Sequence, residues 1–133
     1  MANNFILEIV TPARKVISKE VSSVVLPTSN GYMGILVNHA PLISSLGLGI
    51  LKYKSEGKEE HVAVYEGFME VSKNKVSIMA DDAECAGEID VERAKRAEES
   101  ARENLKKRDD VDTLQAEIAL RKAIIRLRTA RLG

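Results

Sequence analysis

The sequence has one cysteine, no tryptophan and few aromatic residues, which make up 4% of its 133 residues. Because the single thiol, Cys85, cannot pair within the chain, a disulfide-stabilised scaffold is excluded and a reducing compartment is expected. No apolar run reaches the ~18 residues that suit a membrane-spanning helix, and the first residues lack the pattern of a secretory signal. The chain is therefore not expected to insert directly into a membrane.

An excess of either charge is also missing. The chain carries 20 Lys and Arg against 20 Asp and Glu, so no general attraction to nucleic acid follows. The distribution is uneven, since residues 1–88 carry 8 basic and 11 acidic residues, whereas residues 89–133 carry 12 and 9. The basic segment indicates either a solvated helical face, which is the commoner case, or a surface for an acidic partner.

The motifs of several enzyme classes are absent as well. There is no phosphate-binding P-loop, no G-x-G-x-x-G before a helix and no G-x-S-x-G turn. His39, His61 and Cys85 do not have the spacing of metal ligands. The sequence therefore predicts a protein that is not an enzyme, binds no metal and requires no cofactor.

The first 85 residues contain short apolar and β-branched runs, separated by turn-forming Gly, Pro, Asn and Ser. These runs are residues 5–10, 21–26, 61–65, 68–71 and 76–80. Short strands at close spacing predict an antiparallel sandwich or barrel, and the absence of helical patterns between them argues against parallel βαβ units.

The tight loop Asn38-His39-Ala40-Pro41 lies among apolar residues. His39 could act as a pH-sensitive contact. The preferred interpretation is that its ring closes the turn through a hydrogen bond to the backbone, because polar groups in loops require partners.

The last third of the chain reads as two helices. Asp90 is suited to cap the first helix, because its carboxylate can accept from free N–H groups of the first turn. The pattern breaks at residues 109–112, and Asp112 with Gln115 predicts a capping box for the second helix. Small and apolar residues recur along one face of each helix, at Ala94, Ala97, Ala101 and Leu105 and then at Ala116, Leu120, Ala123, Leu127 and Ala130.

These faces predict an antiparallel hairpin with an alanine-rich interface. Alanine buries little apolar area, so the hairpin should be held weakly and could have more than one stable position. Ile118, Ile124, Ile125 and Leu132 lie partly outside this interface and need another surface, either the strand-rich part or a partner.

Four motifs occur in a recognisable order. They are Val10-Thr-Pro12, Gly34-Ile35 with His39-Ala-Pro-Leu42, Gly67-Phe-Met-Glu-Val71, and Ile89-Asp-Val-Glu-Arg-Ala94. In this order they resemble the epsilon subunits of bacterial F-type ATP synthases, and the resemblance covers nearly the whole chain. The resemblance implies a sandwich of about ten short antiparallel strands in residues 1–88, followed by a two-helix hairpin domain in residues 89–133.

The resemblance also implies a place on the rotor, bound to the gamma subunit and touching the ring of membrane subunits. In this family the hairpin either folds onto the sandwich or extends into the alpha/beta catalytic head, where it inhibits ATP hydrolysis. The implied location is peripheral, at the cytoplasmic face of the cell membrane. Two alternatives stay open: a free-standing nucleotide-binding regulator, and a structural adaptor whose hairpin never moves.

In some bacterial members, the Ile-Asp-x-x-Arg-Ala segment belongs to a site for ATP as a regulatory ligand. The residues that match this pattern are Glu84, Ile89, Asp90, Arg93, Ala94 and Arg126. Ser100 and Lys122 depart from it, because the pattern expects a basic residue and an arginine there, and an arginine can grip phosphate with two parallel hydrogen bonds.

The resemblance further suggests which residues meet other subunits. His39 and Pro41 are expected to face the membrane ring, and Arg121, Lys122 and Arg128 are expected to meet an acidic loop of the catalytic subunits. Tyr32 departs from the family pattern, because many members carry a glutamate there.

Overall fold

A computed structural model describes residues 4–106 and 110–133 of the chain, which form seven strands, one short 3-10 turn and two helices. The strands are β1 (Phe5–Val10), β2 (Lys15–Val21), β3 (Ser23–Thr28), β4 (Gly31–Leu36), β5 (Leu42–Ser55), β6 (Lys58–Ser72) and β7 (Lys75–Cys85). The 3-10 turn Ala86–Glu88 leads into α1 (Val91–Lys106), and α2 (Asp110–Leu132) follows.

The strands form one hydrogen-bonded sheet in the order β2-β1-β7-β6-β5-β3-β4. All neighbours run antiparallel except β1 and β7, which are parallel. The expected count of about ten strands is too high, because β5, β6 and β7 are 14, 15 and 11 residues long. The runs 61–65 and 68–71, for example, belong to the same strand, β6.

Gly67 explains how β6 continues through a sequence that reads as a turn. The backbone takes positive φ at Glu66 (58°) and at Gly67 (142°), and pairing with β7 resumes on both sides of this point. A Cβ atom at residue 67 would clash with the carbonyl oxygen of Met79. The position therefore requires glycine, which lets the strand kink without leaving the sheet.

The sheet folds over itself into a sandwich. Three strands separate β2 from β5 in the sheet order, yet the Ser55 Oγ donates to the Glu20 carbonyl at 2.9 Å and the Lys19 Nζ lies 5.8 Å from the centre of the Tyr53 ring. All seven strands contribute to one apolar core between the layers. Its fully buried large side chains include Leu7, Ile9, Val21, Val24, Leu26, Ile35, Leu51, Met69 and Ile78.

The two helices form the expected hairpin through small side chains. Buried residues on α1 are Ala94 and Ala101, and those on α2 are Ala116, Ala123 and Thr129. The predicted alanine-rich interface is thus confirmed. The α2 helix begins at Asp110, two residues before the predicted cap; the side chain of Asp112, and with it the predicted capping box, lies outside the described residues.

The hairpin lies on the sandwich through a second, smaller apolar cluster. Ile125 and Ala130 of α2 pack there against Ala63, Tyr65 and Ile89. Of the isoleucines and leucine expected to need cover, Ile118 and Leu132 stay 39% and 53% exposed. Neither described helix is both long and apolar enough to cross a membrane.

Candidate functional site

A polar cleft of about 530 Å³ opens where the hairpin meets the sandwich. Its walls come from the β1–β2 turn, the end of β7, the 3-10 turn and both helices. The lining residues are Arg14, Asp82, Ala83, Glu84, Glu88, Asp90, Arg93, Ala94, Ala97 and Arg126. Five of the six residues that the sequence predicts for ATP line this cleft, and the sixth, Ile89, is buried in the apolar cluster beside it.

Asp90 sets the geometry of the α1 wall. Its Oδ1 accepts a hydrogen bond from the backbone N–H of Arg93 at 3.1 Å, and its carbonyl accepts from the N–H of Ala94 at 3.0 Å. The predicted capping role is therefore confirmed. The cap places Arg93 and Ala94 in the first turn of the helix, where both line the cleft.

Arg126 is the contribution of α2, and it bridges the hairpin to the sandwich. Its Nε donates to Glu84 Oε1 at 2.5 Å, and its Nη2 lies 3.5 Å from Asp82 Oδ2. The guanidinium also covers the face of Tyr65, with the Cζ 4.7 Å from the ring centre. Burial alone would lower the pKa of Arg126, but the hydrogen bond to Glu84 and the nearby negative charges raise it above its ordinary value.

A second ion pair, which sequence reasoning missed, also lines the cleft. Arg14 grips Glu88 with two hydrogen bonds, Nη2 to Oε1 at 2.5 Å and Nη1 to Oε2 at 3.2 Å. Glu88 also accepts from the Cys85 N–H at 2.9 Å. The hydrogen bond from Arg14 holds the pKa of Glu88 below its usual value. No local pattern could reveal this pair, because 74 positions separate its partners.

The cleft therefore combines three guanidinium groups with four carboxylates. Arg14, Arg93 and Arg126 are suited to phosphate oxygens, which a guanidinium fork can bind with two hydrogen bonds. Carboxylates can accept from hydroxyl or amino groups of a ligand. Ser100 and Lys122 are not among the lining residues. In the described part of the chain, no group of three or more His, Cys, Asp and Glu side chains is placed to hold a metal ion.

The residues predicted for partner contact lie apart from the cleft. The His39 Nδ1 pairs with the Ala40 carbonyl at 2.7 Å, which agrees with the turn-closing interpretation, and both His39 and Pro41 are exposed. On α2, Arg121 and Arg128 are exposed and Lys122 is half-buried. Arg126 is the one cation of α2 with an ion pair among the described residues.

The fold and the cleft define a class of protein: a β-sandwich carrying an α-helical hairpin, with a polar cleft where the two meet. Residues 4–86 match the family model described as the ATP synthase delta/epsilon chain beta-sandwich domain. Residues 88–131 match the long alpha-helix domain of the same chain. The chain therefore belongs to the delta/epsilon chain family of ATP synthases, whose members are non-catalytic subunits.

Curated relatives carry the name ATP synthase epsilon chain. The one from Desulfitobacterium hafniense strain Y51 is 47% identical over 131 residues, which are 98% of this chain and 99% of the relative. The one from Symbiobacterium thermophilum is 46% identical over 126 residues, with 93% and 91% covered.

Solved ATP synthases contain the same fold. A chain in the Euglena gracilis mitochondrial complex, a structure of its OSCP, F1 and c-ring, is 28% identical with a TM-score of 0.82, covering 98% of this chain and 82% of that one. A chain of the central stalk and c-ring of the Tetrahymena thermophila enzyme, at 16% identity and a TM-score of 0.60, shares the fold.

Proposed function

We propose that this chain works on the rotor of its ATP synthase, where it joins the gamma subunit to the ring of membrane subunits at the cytoplasmic face of the cell membrane. We further propose that its hairpin, when released from the sandwich, inhibits ATP hydrolysis by the alpha/beta catalytic head. Membership of the family and the likeness to a chain in the Euglena complex support the rotor role.

The way the hairpin is held supports a mobile hairpin rather than a fixed adaptor. Its apolar contact with the sandwich rests on few side chains, chiefly Ile125 and Ala130. Its polar contact rests on Arg126. Few contacts imply a small free-energy difference between docked and released states, and such an element can be shifted by a ligand or partner.

Crosslinking tests this proposal. Ala63→Cys with Ala130→Cys places two thiols in the apolar cluster that joins sandwich and hairpin. Oxidation should lock the docked state and raise ATP hydrolysis by the assembled enzyme, and reduction should reverse the gain. Hydrolysis that is unchanged by a complete crosslink would favour a fixed adaptor.

The cleft supports ATP as a regulatory ligand. The observation that carries this proposal is the meeting of Glu84, Asp90, Arg93, Ala94 and Arg126 in one cleft, although they come from β7 and both helices. Because the walls belong to both the sandwich and the hairpin, a ligand bound there would stabilise the docked state by mass action.

Titrating ATP into the isolated chain tests this site. Amide signals near Asp90 and Arg93 should shift, and Arg93→Ala should abolish the shift because it removes a phosphate contact. Arg96→Ala is the matched control, since Arg96 is on the same helix but does not line the cleft. No shift at millimolar ATP would reject the site.

The loop around His39 is proposed to face the membrane ring. Exposed apolar side chains flank it, with Leu36 65% and Ile43 73% exposed. Such residues near an exposed loop favour a partner surface. Asn38→Cys should crosslink to the ring subunits in the intact enzyme, and crosslinks confined to the catalytic head would contradict this placement.

A further inference from the structure

Tyr65 carries a buried hydroxyl group that has no hydrogen-bond partner among the described residues. The residue is 1% exposed. Such a group costs free energy in the folded protein, because it loses its hydrogen bonds to water without replacing them. A buried tyrosine normally finds a partner for its hydroxyl, so the position of this one requires an explanation.

The ring of Tyr65 lies against the ion pair between Arg126 and Glu84, both of which line the cleft. Arg126 covers the face of the Tyr65 ring at 4.7 Å, and the same guanidinium donates to Glu84 at 2.5 Å. Burial raises the pKa of Tyr65 and Arg126 partly offsets this effect, while the charges of Glu84 and Asp82 and the approach of the hydroxyl to the Glu84 carboxylate raise the pKa further. The phenol therefore stays protonated at neutral pH and keeps a proton that it can donate. The hydroxyl is thus near Glu84 but makes no hydrogen bond of normal geometry with it.

We propose that the Tyr65 hydroxyl is a reserve donor for Glu84: it donates a hydrogen bond to the Glu84 carboxylate when Arg126 leaves that carboxylate to bind a phosphate group. This inference rests on the proposed ATP site. A phosphate that takes the guanidinium leaves Glu84, whose side chain is 26% exposed, without its donor. Pairing Glu84 with Tyr65 then satisfies both groups at once, so the exchange lowers the cost of moving Arg126. Tyr65 is in this sense a positioning residue that need not touch the ligand.

A double-mutant cycle tests the exchange without any ligand. In the wild-type background, Tyr65→Phe should leave the stability unchanged or raise it, because the lost hydroxyl has no partner. In an Arg126→Met background, where Glu84 has lost its donor, the same change should lower the folding equilibrium constant by about tenfold, the value of a hydrogen bond to a charged group. The same effect in both backgrounds would overturn the proposal.

ATP binding provides a second test. It does not use the Arg126→Met background, so it remains decisive even if that variant releases the hairpin. Tyr65→Phe should raise the Kd for ATP by about tenfold. Tyr53→Phe is the matched control, since Tyr53 is also buried but lies beside Lys19 in the sandwich core, and its Kd should equal that of wild type.

The two proposals fail in different ways. An unchanged Kd for Tyr65→Phe would overturn the reserve-donor role and leave the ATP site intact. Absence of ATP binding by the wild-type chain would reject the ATP site, and the double-mutant cycle would then decide the Tyr65–Glu84 exchange by itself.

Discussion

The sandwich and the hairpin are stabilised in opposite ways. The sandwich buries large side chains from all seven strands in one core, among them Leu7, Ile9 and Leu26 at 0% exposure. The buried residues of the two helices, as far as the structure describes them, are four alanines and Thr129. Because hydrophobic stabilisation scales with the apolar area removed from water, the fold of the sandwich depends on its own core, while the position of the hairpin depends on a few contacts made at its surface.

This difference explains why the cleft lies between the two parts. A ligand bound at the junction would act directly on the few contacts that join the hairpin to the sandwich, whereas one bound within the sandwich core would not. The predictions below test the contrast, from the largest expected effect to the smallest.

Gly67→Ala should destabilise the whole sandwich, by about 3 kcal/mol or more, because residue 67 combines positive φ with a Cβ position that clashes with the backbone of Met79. Chemical denaturation followed by circular dichroism measures the loss. Gly57→Ala is the control: Gly57 also has positive φ (79°) but faces open space, so it should cost only about 1 kcal/mol. Equal costs at both positions would contradict the clash.

Arg126→Ala should weaken the docking of the hairpin by about 2–3 kcal/mol while the sandwich stays intact, because it removes charge-assisted hydrogen bonds to Glu84 and Asp82. Amide exchange should accelerate along α2 and stay slow in the strands. Arg128→Ala provides the comparison, since Arg128 is exposed and has no ion pair among the described residues. Similar acceleration by both variants would indicate that general charge, rather than the cleft contact, holds the helix.

We propose that residues 1–88 and 89–133 are separate domains, and a chain ending at Glu88 tests this boundary. It should keep a cooperative melt and strand-type circular dichroism, because the main core involves no hairpin residue. The loss should be about 1–2 kcal/mol, from the exposure of Tyr65 and Ala63. An unfolded chain would show that the hairpin is part of the folding unit.

The cations of α2 that lie outside the cleft, three exposed and one half-buried, should favour the inhibitory, released state. Replacing the four that do not line the cleft by alanine should raise ATP hydrolysis in the assembled enzyme by up to about tenfold, since exposed pairs contribute about 0–1 kcal/mol each. These four are Arg121, Lys122, Arg128 and Arg131. Arg126 is left in place because it binds Glu84 in the docked state.

Added salt provides a second measurement on the same cations. It should raise hydrolysis by the wild-type enzyme, because it screens exposed charges, and should have less effect on the quadruple variant. A quadruple variant that hydrolyses ATP no faster than wild type would contradict this role of the cations, and Ile124 and its neighbours would become the candidates for inhibition.

The smallest effect concerns pH. Arg14 lowers the pKa of Glu88 in the folded chain. The ionised carboxylate therefore stabilises the fold at pH values above the pKa that Glu88 has in the unfolded chain. This stabilisation is lost as the pH falls through the lower pKa of the folded chain. Carboxyl NMR titration should show Glu88 titrating below ordinary glutamates, and Arg14→Ala should return it to the usual range. An unchanged titration in that variant would exclude the ion pair as the cause.

The sequence by itself determined the local features of this protein. Short β-branched runs and turn residues predicted β1, β3 and parts of β6 and β7, but not β2, β4 or β5. Asp90 predicted the cap of α1, and alanines at helical spacing predicted the hairpin interface. Each of these depends on residues close together in the chain, where backbone conformation and side-chain spacing are linked directly. The family resemblance implied about ten strands, more than the seven of the described chain, because a strand such as β6 continues through the kink at Gly67.

The tertiary structure alone decided what lies across the cleft. Sequence motifs indicated Glu84, Arg93 and Arg126, but not that Arg14 would line the same cleft or that Glu88 would bind Arg14. Nor did they indicate that the Tyr65 ring would lie against Arg126 with its hydroxyl unpaired. These contacts join the β1–β2 turn to the 3-10 turn, and β6 and β7 to α2. The sheet order that brings β1 beside β7 is a property of the folded sandwich. Contacts between residues tens of positions apart depend on how the whole chain packs, which no local pattern encodes.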